Sequence, residues 1–465
     1  MVQNDYLLRG GIAGALVRFA VPVLLSSLLQ VFYSAIDLLI VGKFATTADM
    51  SAVAVSSGVM TTVTLGVAGL TTGLTVLIGQ FVGGGNQGNI KRIVGSSVVF
   101  FAALSAVLTI LLAFLSGPIV TAMKTPAEAV LPAWQFLFIC SFGTVFIVGY
   151  NVVSSAFRGL GNSKTPLIFV AAACGVNVVL DLIFIIGLGM GAAGAALATV
   201  TAQASSLLFS VLYIKKRKDT GLRIGRADLR PDFRLLWSMI KIGGPIALQE
   251  VLVNFSFVLI TAVVNGMGLY ASAAAGTVEK IMSFLSMPTL AVSMAVATMS
   301  AHNFGALQYD RARKCLWTGI GLSLLFAAVF TAFCWAQSTA LPSIFSKDPE
   351  VVREASLYLK TYVLDSLGIA FVFNFNGYFS SCNKSLFSMA HSLLTTLLIR
   401  IPFVLIAGGM AGVTLSTIGC AAPLTSLGSL ILCLIYFMSL RRKLGDGAGA
   451  PVPAAVSDGG PDAAP

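Results

Sequence analysis

The sequence is poor in charge: Asp, Glu, Lys and Arg together make up 10% of its 465 residues, and it holds two histidines and four tryptophans. So few charged groups cannot coat a soluble protein of this length. His302 and His391 stand alone, with no HExxH pattern and no second ligand at helical spacing, which argues against a metal site. Cys140, Cys174, Cys315, Cys334, Cys382, Cys420 and Cys433 are scattered through apolar stretches without a CxxC pair. They read as small packing residues, not as a disulfide or zinc framework. A nucleotide cradle is also missing, because neither GGGNQGN at 83–89 nor GNSKT at 161–165 follows GxxxxGK[ST]. No nucleophile and base constellation points to an enzyme. No aromatic-interleaved basic patch accompanies the net charge of +11, so no nucleic-acid partner is expected.

What the chain does have is apolar length. It is 57% hydrophobic, with a mean hydropathy of +0.92. A membrane helix needs roughly 20 mostly apolar residues to cross a ~30 Å hydrocarbon layer. Polar breaks divide the sequence into segments near 15–41, 52–82, 93–117, 131–157, 166–188, 191–214, 237–264, 271–301, 315–341, 354–381, 386–409 and 413–440. The first is too long for a signal-peptide core and counts as a helix. These segments predict an all-α integral membrane protein of twelve transmembrane helices, six per half.

The second half repeats the first. Pro22 faces Pro245, Gly84, Gln87 and Arg92 face Gly305, Gln308 and Arg313, and Pro126 faces Pro349. Asn162 faces Asn383, and Gly189 and Met190 face Gly409 and Met410, all in order at offsets of 220 to 223. An even number of crossings per half makes the repeats parallel, two six-helix lobes related by a pseudo-two-fold axis near the membrane normal. The lobes are expected at 1–214 and 237–442, with a basic linker at 215–236 and a disordered tail at 443–465 that is too rich in Gly, Ala and Pro to order itself.

Most of the 29 basic residues fall in alternate breaks: Arg9 and Arg18, Lys91 and Arg92, Arg158 and Lys164, the run from Lys215 to Lys241, Arg311 to Lys314, Lys384, and Arg441 to Lys443. The positive-inside rule therefore puts both termini in the cytoplasm of a cell whose plasma (inner) membrane holds the chain. Lys280 and Arg400 fall inside predicted spans.

A carboxylate at the centre of a spanning helix costs on the order of 2.5 to 3.5 kcal/mol on insertion scales, so each one calls for a reason. Asp37, Asp181, Glu250, Glu279 and Asp365 qualify by position. Asn177 lies four residues before Asp181 and shares its helical face. Tyr150, Asn151, Thr199 and Gln203 are candidates to complete a polar pocket in the first half. A desolvated carboxylate pocket of this kind exchanges H⁺ or, with amide and carbonyl oxygens, holds Na⁺. The bland alternative is a carboxylate that only ties helices together. Glu250 has Asn254 one turn on, Glu279 is followed by Lys280, and Arg400 beside Pro402 is suited to pairing an acid. Pro22 and Pro245 each remove a helix hydrogen bond and make a place to bend. Phe255, Met287, Met294 and Phe371 suit either an apolar wall for varied cations or ordinary packing.

Over residues 12 to 442 the chain resembles the multidrug and toxic compound extrusion (MATE) family. The resemblance rests on AVPVLLSSLLQVFYSAIDLLIVGK, GQFVGGGNQGNIKR, FRGLGNSKTP, and NVVLD followed by GLGMGAAGAALAT. It implies two six-helix lobes around a central cleft and cation-coupled antiport of bulky, mostly cationic amphipathic compounds. The placing of Pro22 before Asp37, and of Asn177 before Asp181, is similar to the DinF-like branch. That likeness implies Asp37, Asn177 and Asp181 as the cation-coupling set and Pro22 as a hinge. No cofactor beyond the coupling ion is expected, and the partners are membrane lipid and small organic cations, with the chain working as a monomer. A lipid-linked precursor flippase of the same superfamily is the alternative, weakened by the scarcity of basic residues in the spans. A receptor or scaffold would have no need of mid-membrane carboxylates. The repeat also fails at a telling place: Asp37 would face Ile260, and Asp181 would face Ile401.

Overall fold

The computed structural model describes residues 5–217, 221–222, 224–410 and 412–445. Its first half contains α1 (Ile12–Phe44), α2 (Thr47–Gly83), α3 (Gln87–Ala122), α4 (Ala127–Gly159), α5 (Lys164–Asp181) and α6 (Gly191–Lys216). The second contains α7 (Phe233–Gly266), α8 (Leu269–Gly305), α9 (Tyr309–Ala336), the short α10 (Ala340–Ser343), α11 (Pro349–Tyr362) and α12 (Asp365–Ser381). It closes with α13 (Ser385–Thr395), α14 (Ile401–Gly408), α15 (Leu415–Gly419) and α16 (Ala421–Gly445). Among the described residues there is no strand. Among the described residues eleven stretches are long and apolar enough to cross a membrane, and α11 with α12, bent by 45°, makes twelve if the pair is one span. At ~1.5 Å per residue the long helices run to about 50 Å, well beyond a ~30 Å hydrocarbon layer, so their ends project into the interfaces. Side chains such as Phe114, 81% exposed, and Leu398, 71% exposed, point outward, as a lipid-facing surface requires.

Apolar length predicted the spans well but missed their irregularities. The fifth span of each half contains a π-helical turn: Leu182–Gly187 follows directly on Asp181, and Thr396–Arg400 ends on Arg400. The tenth span breaks between Tyr362 and Asp365. These are backbone features that hydropathy does not mark.

The duplication is visible in the helix ends. The Asn86 N–H donates to the Phe81 carbonyl over 2.9 Å, and the Gln308 N–H to the Asn303 carbonyl over 2.8 Å. The Asn162 N–H reaches the Phe157 carbonyl and the Lys384 N–H the Phe379 carbonyl in the same way, at 2.9 and 2.8 Å. These are the bonds of a helix-terminating turn that uses one residue at positive φ. That residue is Gly85 or Gly161 in the first half and Leu307 or Asn383 in the second. The turns thus superpose one residue away from the letter matches, because Asn383 stands where Gly161 stands, not where Asn162 does. GGGNQGN and GNSKT are consequently helix-joining turns.

By mutual contact the chain divides into two compact units, and the division falls inside α1 and α7 rather than at 215–236. The first unit takes Val21–Ala247, and the second takes Tyr6–Ala20 and the chain from Leu248 onward. In the first unit the linker is docked: the Asp232 N–H donates to Ser96 Oγ at 2.9 Å, and the Arg230 carbonyl accepts from the same hydroxyl at 3.4 Å. In the second, the Leu7 carbonyl accepts from Asn303 Nδ2 and the Gly10 carbonyl from Arg311 Nη1, which anchors the segment ahead of α1. The expected tail lies outside the described residues from 446 onward.

Two packing devices position the first unit. Gly69 and Gly73 on α2 meet Gly243 and Ala247 on α7, so closely that a Cβ on Gly69 would lie 2.6 Å from Ala247 Cα and one on Gly73 2.7 Å from the Gly243 nitrogen. Small residues at this four-residue spacing let membrane helices approach backbone to backbone. At the other end of α2, Thr46 and Asp49 form a capping box. Asp49 Oδ1 also accepts the Ala192 N–H at 2.9 Å, tying the start of α6 to the start of α2. Gly191 sits there at φ +53°, with any Cβ 2.5 Å from Asp49 Oδ1, so both backbone and space demand glycine.

Candidate functional site

Three helices of the first unit bring polar side chains into an apolar setting. α1 carries Asp37 seven residues before its end at Phe44, and α5 delivers Asn177 and Asp181 from successive turns, with Asp181 its last α-helical residue. α6 contributes Thr199 and Gln203, one turn apart. Asp37 is 8% exposed, and Asn177 and Asp181 are fully buried. The polar neighbours of Asp37 are Asp181, Thr199 and Asn177. Tyr33, one turn before Asp37, extends the group toward Gln203, Ser34 and Cys174. The sequence reading did not name Tyr33, although its spacing of four from Asp37 puts it on the same face.

The cluster has hydrogen-bonding capacity to spare. Asp37 Oδ1, both carboxylate oxygens of Asp181 and both amide atoms of Asn177 are buried without a well-formed hydrogen bond. Among the described residues no Lys or Arg acts on either carboxylate; their charged neighbour is the other acid. Two acids side by side, with oxygen and amide groups around them and no resident base, form a donor set suited to a proton or a small hard cation.

Tyr150 and Asn151 belong elsewhere. The Tyr150 hydroxyl donates to the Pro166 carbonyl at 3.2 Å, and Asn151 Nδ2 donates back to its own helix at the Ile147 carbonyl at 2.9 Å. Pro22 lies within α1, where Ser26 Oγ donates to the Pro22 carbonyl at 2.9 Å. Proline and a back-bonding serine both favour a bend at this point.

The secondary acids all lie in the second unit. Glu250 is on α7, where among the described residues no ionisable neighbour acts on it, and Asn254 follows one turn on. Glu279 on α8 has Arg400 as its charged neighbour, while Lys280 is exposed. Asp365, at the start of α12, accepts a hydrogen bond from Ser426 and also has Arg400 nearby. His302 Nδ1 is 2.8 Å from the Thr298 carbonyl and His391 Nε2 is 2.8 Å from Asn376 Oδ1. Among the described residues no three His, Cys, Asp or Glu side chains gather as metal ligands.

A repeated six-span unit with carboxylates buried in its helices is the build of a secondary membrane transporter. The family follows from the sequence match: the MatE pattern covers residues 22–183 and again 245–406, so the chain belongs to the MatE family. Each match begins on one of the paired prolines. The chain is 28% identical over 437 residues to "Probable multidrug resistance protein YpnP" of Bacillus subtilis, covering 94% of this chain and 97% of that protein. Its fold is similar to a crystal structure of a MATE protein in a bent conformation, at a TM-score of 0.88 and 20% identity, covering 96% of this chain and 98% of that one. It is also similar to one in a straight conformation, at 0.87 and 21% identity with the same coverage.

Proposed function

We propose that this MatE-family membrane protein is a cation-coupled antiporter, driven by H⁺ or Na⁺, that exports bulky, mostly cationic amphipathic compounds by alternating access. The observation that carries the reading is the Asp37, Asn177 and Asp181 cluster, two buried acids without a basic neighbour among the described residues. Such a pair takes up a cation from one side and must release it before the opposite charge state can recur. Coupling follows if cation and substrate oppose each other's binding, and by linkage each lowers the other's affinity by the same factor. Pro22 supplies a bend between Asp37 and the start of α1, and similar proteins have been captured both bent and straight. The multidrug name of the Bacillus relative supports the substrate class.

In this reading the chain belongs to the DinF-like branch, sits in the cytoplasmic membrane with both termini inside, and works as a monomer among lipids. A flippase for a lipid-linked diphosphate would draw on basic residues deep within the spans, and of Lys280 and Arg400 the first is exposed and the second has acidic neighbours. The test is efflux of a fluorescent organic cation from proteoliposomes under a pH gradient or a Na⁺ gradient imposed separately. Transport that ignores both gradients refutes the reading.

A further inference from the structure

The second unit contains a counterpart of the acidic cluster that adds a base to its acids. A cavity of about 10 Å³, room for about one water, is lined by Ile260, Glu279, Tyr362, Arg400, Gly419 and Ala422 among others. Four of these lie at or beside repeat positions of the first cluster. Ile260 stands opposite Asp37, Gly419 and Ala422 bracket the position opposite Thr199, and Arg400 directly precedes Ile401, opposite Asp181. Both fifth spans carry their π turn here, next to Asp181 in one case and ending on Arg400 in the other. π turns occur often at functional sites.

Arg400 is held in place from several sides. Its guanidinium carbon lies 4.1 Å from the centroid of Phe257 on α7, a cation–π contact. Tyr362 on α11 and Glu279 on α8 share its cavity, and Glu279 and Asp365 on α12 are its acidic neighbours. Tyr358, stacked on Tyr362 at 5.3 Å, completes the titratable groups around it. Asp365 is further held by Ser426 on α16. Among the described residues the first cluster has acids and no base; this one has acids and a base tethered to the chain.

We infer that Arg400 is a tethered counter-cation that occupies, in the second unit, the place an exchangeable cation takes in the first, and so keeps Glu279 and Asp365 from serving as a second coupling site. The inference rests on the proposed coupling at Asp37 and Asp181. It explains why a duplicated protein would confine cation exchange to one copy, because an arginine cannot leave or deprotonate.

The test is a proton count on the purified, detergent-solubilised chain, which needs no transport and stands apart from the coupling reading. Arg400→Met should bind about one additional proton per chain at neutral pH, because a buried acid that has lost its partner takes up a proton to neutralise itself. Arg400→Lys, which keeps the charge, should bind the native number, and Arg400→Met with Glu279→Gln should return to it. In proteoliposomes Arg400→Met should raise the number of protons exchanged per substrate. An Arg400→Met protein that elutes as a folded monodisperse species with the native proton count overturns the assignment. Where Arg400→Met alone fails to fold, recovery of folded protein in the double variant supports the assignment, and failure to recover overturns it. Gradient-insensitive transport by the native chain refutes the coupling reading while leaving the proton count to decide on Arg400.

Discussion

Replacing Asp37 by Asn probes the coupling site with the smallest change of shape. The amide keeps the size and most of the hydrogen-bonding capacity of the carboxylate, and Asp181, Thr199 and Asn177 offer partners of both kinds. What it removes is one exchangeable charge. One proton moved through a gradient of one pH unit yields about 1.4 kcal/mol, a roughly tenfold substrate ratio across the membrane. In proteoliposomes with a pH gradient the variant should therefore lose about a factor of ten in accumulation per pH unit for every proton that Asp37 carries. Gradient-free exchange of labelled for unlabelled substrate should survive. Stability supplies an independent check. Two ionised carboxylates ~4 Å apart repel by about 4 kcal/mol at an effective dielectric of ~20. At high pH, where both acids of the native chain are charged, Asp37→Asn relieves that repulsion. At low pH a proton already does so. The melting temperature of the variant should thus exceed the native value by an amount that grows as pH rises. Native accumulation by a folded Asp37→Asn variant refutes the reasoning. So does loss of gradient-free exchange together with accumulation, since that would make Asp37 a substrate-binding group.

The remaining predictions concern the scaffold. Pro22→Ala restores a backbone N–H within α1 and removes the residue that favours bending there, a change worth up to ~3 kcal/mol to a straight α1; efflux rate should fall while the melting temperature holds or rises. Gly73→Ala should destabilise the chain by about 1 to 3 kcal/mol through overpacking against Gly243, outweighing the ~1 kcal/mol gained in helix propensity, as read by thermal unfolding in detergent. Gly191→Ala meets both a positive φ and the Asp49 carboxylate and should lower the melting temperature, whereas the same change at Gly175, with open space around it, should not.

The first unit illustrates how much of a site can be read before folding. Asp37, Asn177 and Asp181 stand out because ionisable and amide groups are rare and costly in spanning segments, and their spacing places two of them on one face. Thr199 and Gln203 follow from the same spacing rule. Tyr33 obeys that rule too. Tyr150 and Asn151 show the limit. Their place on α4 is plain from the sequence, but the rotation of that helix turns Tyr150 to the Pro166 carbonyl and leaves Asn151 bonded to its own backbone.

Apolar length alone determined that this chain lives in lipid as eleven or twelve spans, since a hydrocarbon layer accepts only long apolar helices and the sequence supplies them at matched intervals. The repeat likewise marked out two halves of similar build, because the same turn and proline signals recur in the same order. Only the tertiary structure decided where the units divide within α1 and α7, where π turns interrupt the fifth spans, and which acids meet a base. Those outcomes depend on helix rotation and on contacts between residues far apart in the chain. Arg400 shows the difference: the sequence marks it as a charge in search of a partner, and packing brings it to one cavity with Glu279 and near Asp365, whereas among the described residues no base acts on the first-unit acids.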